Sequence, residues 1–453
     1  MTAVRRRFEL IRFIRIPSGA VMNNFKLQEL ASFGQSRRGF LRTAGVALTA
    51  GLAAQLTSIR EGVACEAQRV SQAGDELQEL ARQYSLTDGV NYLNHAAIGT
   101  MPKPVQTALT EYLSICESNP WLHIWGDAWV EPLANVRDLA AQVLGCTSQE
   151  VAITHNTTET FNTLALGLPL AESDEVLFSS LNHAGASSPF AERAKQGRFR
   201  VRRFDFPILL LPGITADEIV QAHAEAIGPN TRLLVFPHID NTLGVRHPVK
   251  AIATMARERG VEFIAVDAAQ TAGMIPLNCP EMNIDVLATS GHKWLGGPKG
   301  TGLAYIHEKL HKSLQPWSVT WGQARWSSSA RRYEDYGTRN MAEVLALGDA
   351  IAFNQAISAD KRETRLRELW QHTRDLVAAA NKLQWQSPDD WELAGSVYSI
   401  ATNQPVAELA QSLFSRHGIV VRPFTSLGLN ALRVSPNVFT AKSQIEELIT
   451  VIG

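Results

Sequence analysis

From Val90 onward the chain alternates short apolar runs with amphipathic stretches, and this rhythm restricts its fold more than any other feature. Seven runs read as strands: 151–154, 175–179, 200–204, 233–236, 263–266, 286–288 and 302–306. Helical patterns lie between them, among them 158–168, 216–226 and 249–259. Parallel neighbours need long crossover connections, and helices supply them while covering the sheet faces. The alternation therefore predicts an α/β fold: a mostly parallel seven-stranded sheet between helices. Residues 336–357 read as a turn entering a long helix, after which strands become sparse. A helix over 361–383, strands at 397–402, 419–422 and 431–435, and helices over 406–417 and 441–452 predict a smaller C-terminal α/β domain. The expected divisions are an extension over 1–66, a polar lead-in segment over 67–100, a large domain over 101–345 and a small domain over 346–453. In such sheets ligands lie at the carboxyl ends of strands, so chemistry is sought just after each apolar run.

The net charge of −1 conceals an asymmetry, because residues 1–42 hold nine basic and two acidic side chains, leaving the remainder near −8. An acidic body lacks the clustered Lys and Arg that bind phosphate backbones, which argues against a nucleic-acid partner. The basic start reads as an address. Ser36-Arg37-Arg38-Gly39-Phe40-Leu41-Arg42 carries paired arginines ahead of an apolar run, Thr43 to Leu56, that is too short to span a bilayer. This is the pattern of a twin-arginine export signal, and it predicts passage through the twin-arginine machinery to the periplasm, with no membrane segment in the mature chain. Met22 offers a second start, and Ala64 a cleavage point. The four cysteines form no CxxC pair, so neither a disulfide framework nor a zinc site is expected. Nucleotide-binding readings fail on motif, since no G-x-x-x-x-G-K-[ST] occurs and no G-x-G-x-x-G follows a strand.

The strongest local signal runs from Ala288 to Gly302, ATSGHKWLGGPKGTG. Lys293 follows an apolar strand and enters a glycine-rich turn. Upstream, Phe263-Ile264-Ala265-Val266-Asp267 ends a buried run on a carboxylate. A lysine amine that holds an aldehyde, with a carboxylate that keeps a pyridine nitrogen protonated, is the pairing that pyridoxal 5'-phosphate chemistry needs. Taken alone, each has an ordinary explanation, a turn lysine and a strand-ending aspartate; their conjunction with His292 and the glycine run points to the cofactor.

These motifs resemble the class V aminotransferase group of the fold-type I pyridoxal-phosphate enzymes, which includes cysteine desulfurases, selenocysteine lyases, kynureninase and isopenicillin N epimerase. The resemblance extends from Val90 to Gly453. It implies that Lys293 carries the cofactor as a Schiff base, that Asp267 pairs with the pyridinium, and that His183, in Leu181-Asn182-His183-Ala184, stacks on the ring. Gln270 and Asn241 are implied near the ring hydroxyl. The phosphate falls to Thr157 and Thr158, with Ser290 and His292; a run such as Asn156-Thr157-Thr158-Glu159 also has a plain role in helix capping. Thr338, in Gly337-Thr338-Arg339-Asn340, resembles a residue that reaches the phosphate from a neighbouring subunit, which implies a homodimer. Arg433 matches the arginine that grips a substrate α-carboxylate, with Arg422 and Arg339 as further candidates. Cysteine desulfurases place a nucleophilic cysteine shortly before that arginine, whereas residues 422–430 here contain none. A persulfide-forming desulfurase is thereby disfavoured.

The expected function is an enzyme acting at the α- or β-carbon of an amino acid or an amino-acid-containing metabolite, similar to the isopenicillin N epimerase group. Alternatives are a C–S lyase and an exported enzyme that tailors a peptide metabolite such as a siderophore. A non-catalytic binding protein is opposed by the joint presence of Lys293, Asp267, His183 and Arg433.

Overall fold

The computed structural model describes residues 37–73, 75–125 and 129–453. The paired arginines begin helix α1 (Arg37–Gln72), while residues 1–36, Ser36 among them, lie outside the described residues. From Gln55 to Gly453 the chain forms one compact unit. Leu56, Val63, Ala67 and Val70 recur on one face of α1 and are buried, so the end of the extension and the start of the polar lead-in both contribute to the packing. Among the described residues no helix is long and apolar enough to cross a membrane.

The main sheet has seven strands: β2 (Val151–Thr154), β3 (Glu175–Ser179), β4 (Arg200–Phe204), β5 (Thr231–Pro237), β6 (Phe263–Asp267), β7 (Val286–Ser290) and β8 (Gly302–Ile306). Their spatial order is β2-β8-β7-β6-β5-β3-β4. Only β8 runs against its neighbours, pairing antiparallel with both β2 and β7. Every residue of β6, β7 and β8 is buried, as helices on both faces require. Edge strand β4, with Arg200, Arg202 and Arg203, shows the polar character that discourages further pairing. Phe161, Phe178, Phe190, Leu233 and Val235 belong to the core cluster between the sheet and its helices.

Because β2, β3, β5, β6 and β7 point the same way, their carboxyl ends and the loops after them meet at one edge. Helices α5 (Thr157–Gly167) and α6 (Ala184–Ala194) start there, one after β2 and the other after β3. The smaller sheet has the order β12-β13-β10-β9 and is antiparallel throughout, with β9 (Leu383–Trp385), β10 (Tyr398–Thr402), β12 (Arg422–Phe424) and β13 (Ala431–Val434). The run expected as one strand over 419–422 is divided. Ile419–Val420 (β11) pair with Asn91–Tyr92 (β1), whereas Arg422 begins β12 opposite Arg433. The expected divisions at 66 and 345 fall inside continuous helices, α1 and α9 (Met341–Asn354) respectively.

A strap over 91–99 joins the two sheets. After β1 pairs with β11, Asn94 bridges to Ser435, and the Gly99 amide donates to His292 O at 2.9 Å. A Cβ on Gly99 would lie 2.0 Å from Lys293 O, so only glycine lets the strap run this close to the lysine turn.

Candidate active site

The carboxyl-end edge opens into a cavity of about 360 Å³, within the roughly 300–1,000 Å³ of small-molecule sites. β7 ends at Ser290 and the following turn delivers Lys293; β6 ends at Asp267, and both side chains line the cavity. Asp267 Oδ1 accepts from the Ala269 amide at 3.0 Å, which fixes its carboxylate. Burial lowers the Lys293 amine to about 8, opposed by the Asp267 charge and assisted by that of Arg433. An amine with that value is partly unprotonated near neutrality, as attack on an aldehyde requires.

Two helix starts also line the cavity, through Thr157 and Thr158 on one and His183 and Gly185 on the other. Thr157, the first residue of α5, pairs its hydroxyl with that of Ser290 at 2.8 Å, and both residues are buried. Asn156 caps the helix, accepting from the Glu159 amide at 3.0 Å. His183 caps α6: its Nδ1 accepts from the Gly185 amide at 3.0 Å, which fixes that nitrogen as unprotonated. Desolvation lowers His183, with help from the Lys293, Arg422 and Arg433 charges and against that of Asp267, so the neutral ring is favoured. A Cβ on Gly185 would stand 2.6 Å from Thr158 Oγ1 and 2.9 Å from His183 Nδ1, filling the space between the two helix starts. His292 Nδ1–H donates to Thr301 O at 3.2 Å, and burial first, then the Lys293 charge, lowers it. Hydroxyls and amide-rich helix starts around a clear space make a cradle for a phosphate group.

Arg433 is 2% exposed and comes from the small sheet. Its Nη1 donates to Asn241 O at 2.8 Å and its Nη2 to Asn94 Oδ1 at 2.7 Å. Burial, then the neighbouring Arg422, lowers its guanidinium to about 10, opposed by Asp240 and Tyr92. Gln270 lines the cavity with its amide clamped: Nε2 donates to Ala96 O at 3.0 Å and Oε1 accepts from Trp294 Nε1 at 2.8 Å, which leaves one N–H for a ligand. Asn241 and Arg422 also line the cavity.

Two expected residues lie elsewhere within this chain. Arg339 turns onto buried Glu334 at 3.5 Å and does not line its own chain's cavity. Glu334 also accepts from Arg137 and from the Ile153 amide, so it draws the guanidinium away. Thr338 is exposed and does not line its own chain's cavity. The structure adds Phe424, which lines the cavity, and Asn94, which holds Arg433 from behind; neither was anticipated. Asn94 directly follows the apolar end of the Tyr92-Leu93 run, the position where ligand residues are sought. No cysteine lines the cavity, and all four thiols are free.

A buried amine of lowered basicity, a carboxylate ending the neighbouring strand and a phosphate cradle across the gap together define a pyridoxal-phosphate site on an α/β scaffold. Residues 91–443 match the family described as Aminotransferase class-V. The chain belongs to the class V aminotransferase family and is a pyridoxal 5'-phosphate-dependent enzyme of fold-type I. It is 29% identical over 384 residues to the isopenicillin N epimerase of Amycolatopsis lactamdurans, covering 81% of this chain and 95% of that protein. The isopenicillin N epimerase of Streptomyces clavuligerus is 30% identical over 332 residues, covering 70% and 82%. A probable cysteine desulfurase of Pyrococcus abyssi is 25% identical over 394 residues, covering 83% and 96%. Among solved structures, the cysteine desulfurase of Thermococcus onnurineus NA1 superposes with a TM-score of 0.72 at 23% identity, over 82% of this chain and 96% of that one. A cystine C–S lyase in complex with cysteine persulfide gives 0.72 at 22% identity, over 81% and 97%. At these identities the two superpositions speak for the fold alone.

Proposed function

We propose that the protein acts at the α- or β-carbon of an amino acid or amino-acid-containing metabolite, in the manner of the isopenicillin N epimerase group. The observation that carries this reading is the convergence of Lys293, Asp267 and Arg433 on one cavity that no cysteine lines. When bound, the cofactor supplies an electron sink for charge released at the substrate α-carbon. Lys293 would hold the cofactor, and its amine would take or return a proton at that carbon. Asp267 keeps the ring nitrogen protonated; neutral His183 offers a flat face against the ring; Thr157, Thr158, Ser290 and His292 hold the phosphate end. Arg433, steadied by Asn94 and Asn241, orients the substrate carboxylate. A C–S lyase uses the same groups and needs no nucleophilic cysteine, so it is the second reading. Incubation of the holoenzyme with a panel of L- and D-amino acids tests both. Inversion without ammonia or sulfur release supports the first, and released sulfide or pyruvate supports the second. A loaded protein whose absorbance responds to no amino acid or small peptide contradicts both.

The paired arginines support export: Arg37→Lys with Arg38→Lys is expected to leave the loaded protein in the cytoplasm, and unchanged periplasmic recovery would reject that signal. The exposed Thr338 supports a homodimer in which each chain lends a threonine to its partner's phosphate site. Trp317 is 40% and Val319 85% exposed on a loop tied to α5 through Trp317 Nε1 and Glu159 Oε1, which sets apolar surface near that helix start. Thr338→Ala is expected to weaken cofactor binding by about one to two decades, the loss of one charge-assisted hydrogen bond. Mixing Lys293→Ala with Thr338→Ala chains is expected to restore one intact site per heterodimer. Verified heterodimers with no gain in cofactor affinity would refute the shared site.

A further inference from the structure

Arg422 and Arg433 are directly paired across β12 and β13, so their side chains leave the same face of the small sheet. Both line the cavity, and both guanidinium carbons stand over the Phe424 ring, 5.5 Å and 5.4 Å from its centroid. Their surroundings differ. Arg433 is buried between Asn94 and Asn241, with the Asp240 charge nearby, whereas Arg422 is exposed at the rim and has no ion-pair partner among the described residues.

The cavity's own side chains carry more positive than negative charge. Its lining holds three cationic side chains, Lys293, Arg422 and Arg433, and one carboxylate, Asp267. On the reading proposed above, Asp267 faces the pyridinium, the phosphate lies between the two helix starts and the α-carboxylate takes Arg433. Nothing in that inventory answers Arg422. An unpaired guanidinium beside a second one raises the potential at the mouth and favours a ligand that brings a second negative charge.

We propose that the substrate is an amino acid or amino-acid-containing metabolite bearing a second carboxylate, and that Arg422 is the specificity-determining residue that takes it. A planar guanidinium binds a carboxylate through two parallel N–H donors, which gives direction as well as charge. The apolar edge of Phe424 then accommodates the methylenes between the two carboxylates. This inference rests on the proposed function, because it assigns the α-carboxylate to Arg433.

Amine-free acids read the second site without turnover. Binding of glutarate and adipate to the cofactor-loaded enzyme is compared by calorimetry with binding of pentanoate and hexanoate, matched in chain length. The dicarboxylates are expected to bind about tenfold or more tightly. Arg422→Gln is expected to reduce that preference to within about twofold, dicarboxylate binding falling further than monocarboxylate binding, and Arg422→Lys to retain part of it. Equal binding of mono- and dicarboxylates, a preference that survives in Arg422→Gln, or binding of neither class each overturns the inference. Cofactor content is measured by absorbance on the same samples. A loaded protein without the preference ends this inference alone, whereas a protein that takes up no cofactor ends the proposed function with it.

Discussion

Lys293→Ala is expected to yield a protein that still admits the cofactor into the cavity but cannot be fixed to it by borohydride. In the native chain, reduction followed by proteolysis should label a single peptide containing Lys293. Activity on any substrate found should fall by at least about 10²–10⁴-fold, the range for loss of a positioned general base. A variant that still carries a reducible cofactor on another lysine would overturn the assignment. The native amine adds a pH signature. Below about 8 it is mostly protonated and only the unprotonated fraction attacks, so cofactor capture by the apoprotein should rise roughly tenfold per pH unit and level off above about 8. An unperturbed lysine would delay the plateau to about 10.4, and stopped-flow absorbance separates the two profiles.

The second large effect concerns stability and lies at Gly244, in the turn after the cavity-lining Asn241. Gly244 has φ +71°, and a Cβ there would stand 1.6 Å from Val397 O. The backbone of another element cannot yield as a flexible side chain would. Gly244→Ala therefore combines left-handed strain of about 1–2 kcal/mol with a backbone clash, for a total of about 4 kcal/mol or more. Gly197→Ala separates the two costs, since Gly197 has φ +72° and nothing within 4 Å of its Cβ position. It should lose only the strain. Urea unfolding of both variants gives the comparison; similar midpoints would show that Val397 moves aside freely. The Gly244 turn also carries Asn241, whose carbonyl holds Arg433, so the lesion should loosen carboxylate binding as well.

Six of the seven large-domain strands were legible because burial on both faces leaves nearly continuous apolar runs, and turns punctuate them. The start of α5 was legible from Asn156 and Glu159, since the Asn156 side chain caps the free Glu159 amide in the first turn. Lys293, Asp267 and the two threonines share a local logic, each following directly from a strand or opening a helix. What escaped was long-range. Strand β9 has three residues, and β1 and β11 two each, too few for a period to show. Arg339 was a further candidate beside Arg433, and no local pattern reveals that Glu334 is buried and already collects arginines. Asn94 gained its meaning only from Arg433, 339 positions later.

That separation bears on how the enzyme is made. Contacts between the two ends of a chain raise the contact order and are reached late, because loop closure must be met before they contribute. A nascent chain that has passed Gly302 already contains the strands and helix starts of the cofactor cradle, but it lacks the guanidinium that Asn94 supports. The strap has no β11 to pair with and no Ser435 to bridge until the final β-strand has been synthesised. Chain completion is thus written into the carboxylate subsite, and a truncated product is disarmed by its own topology.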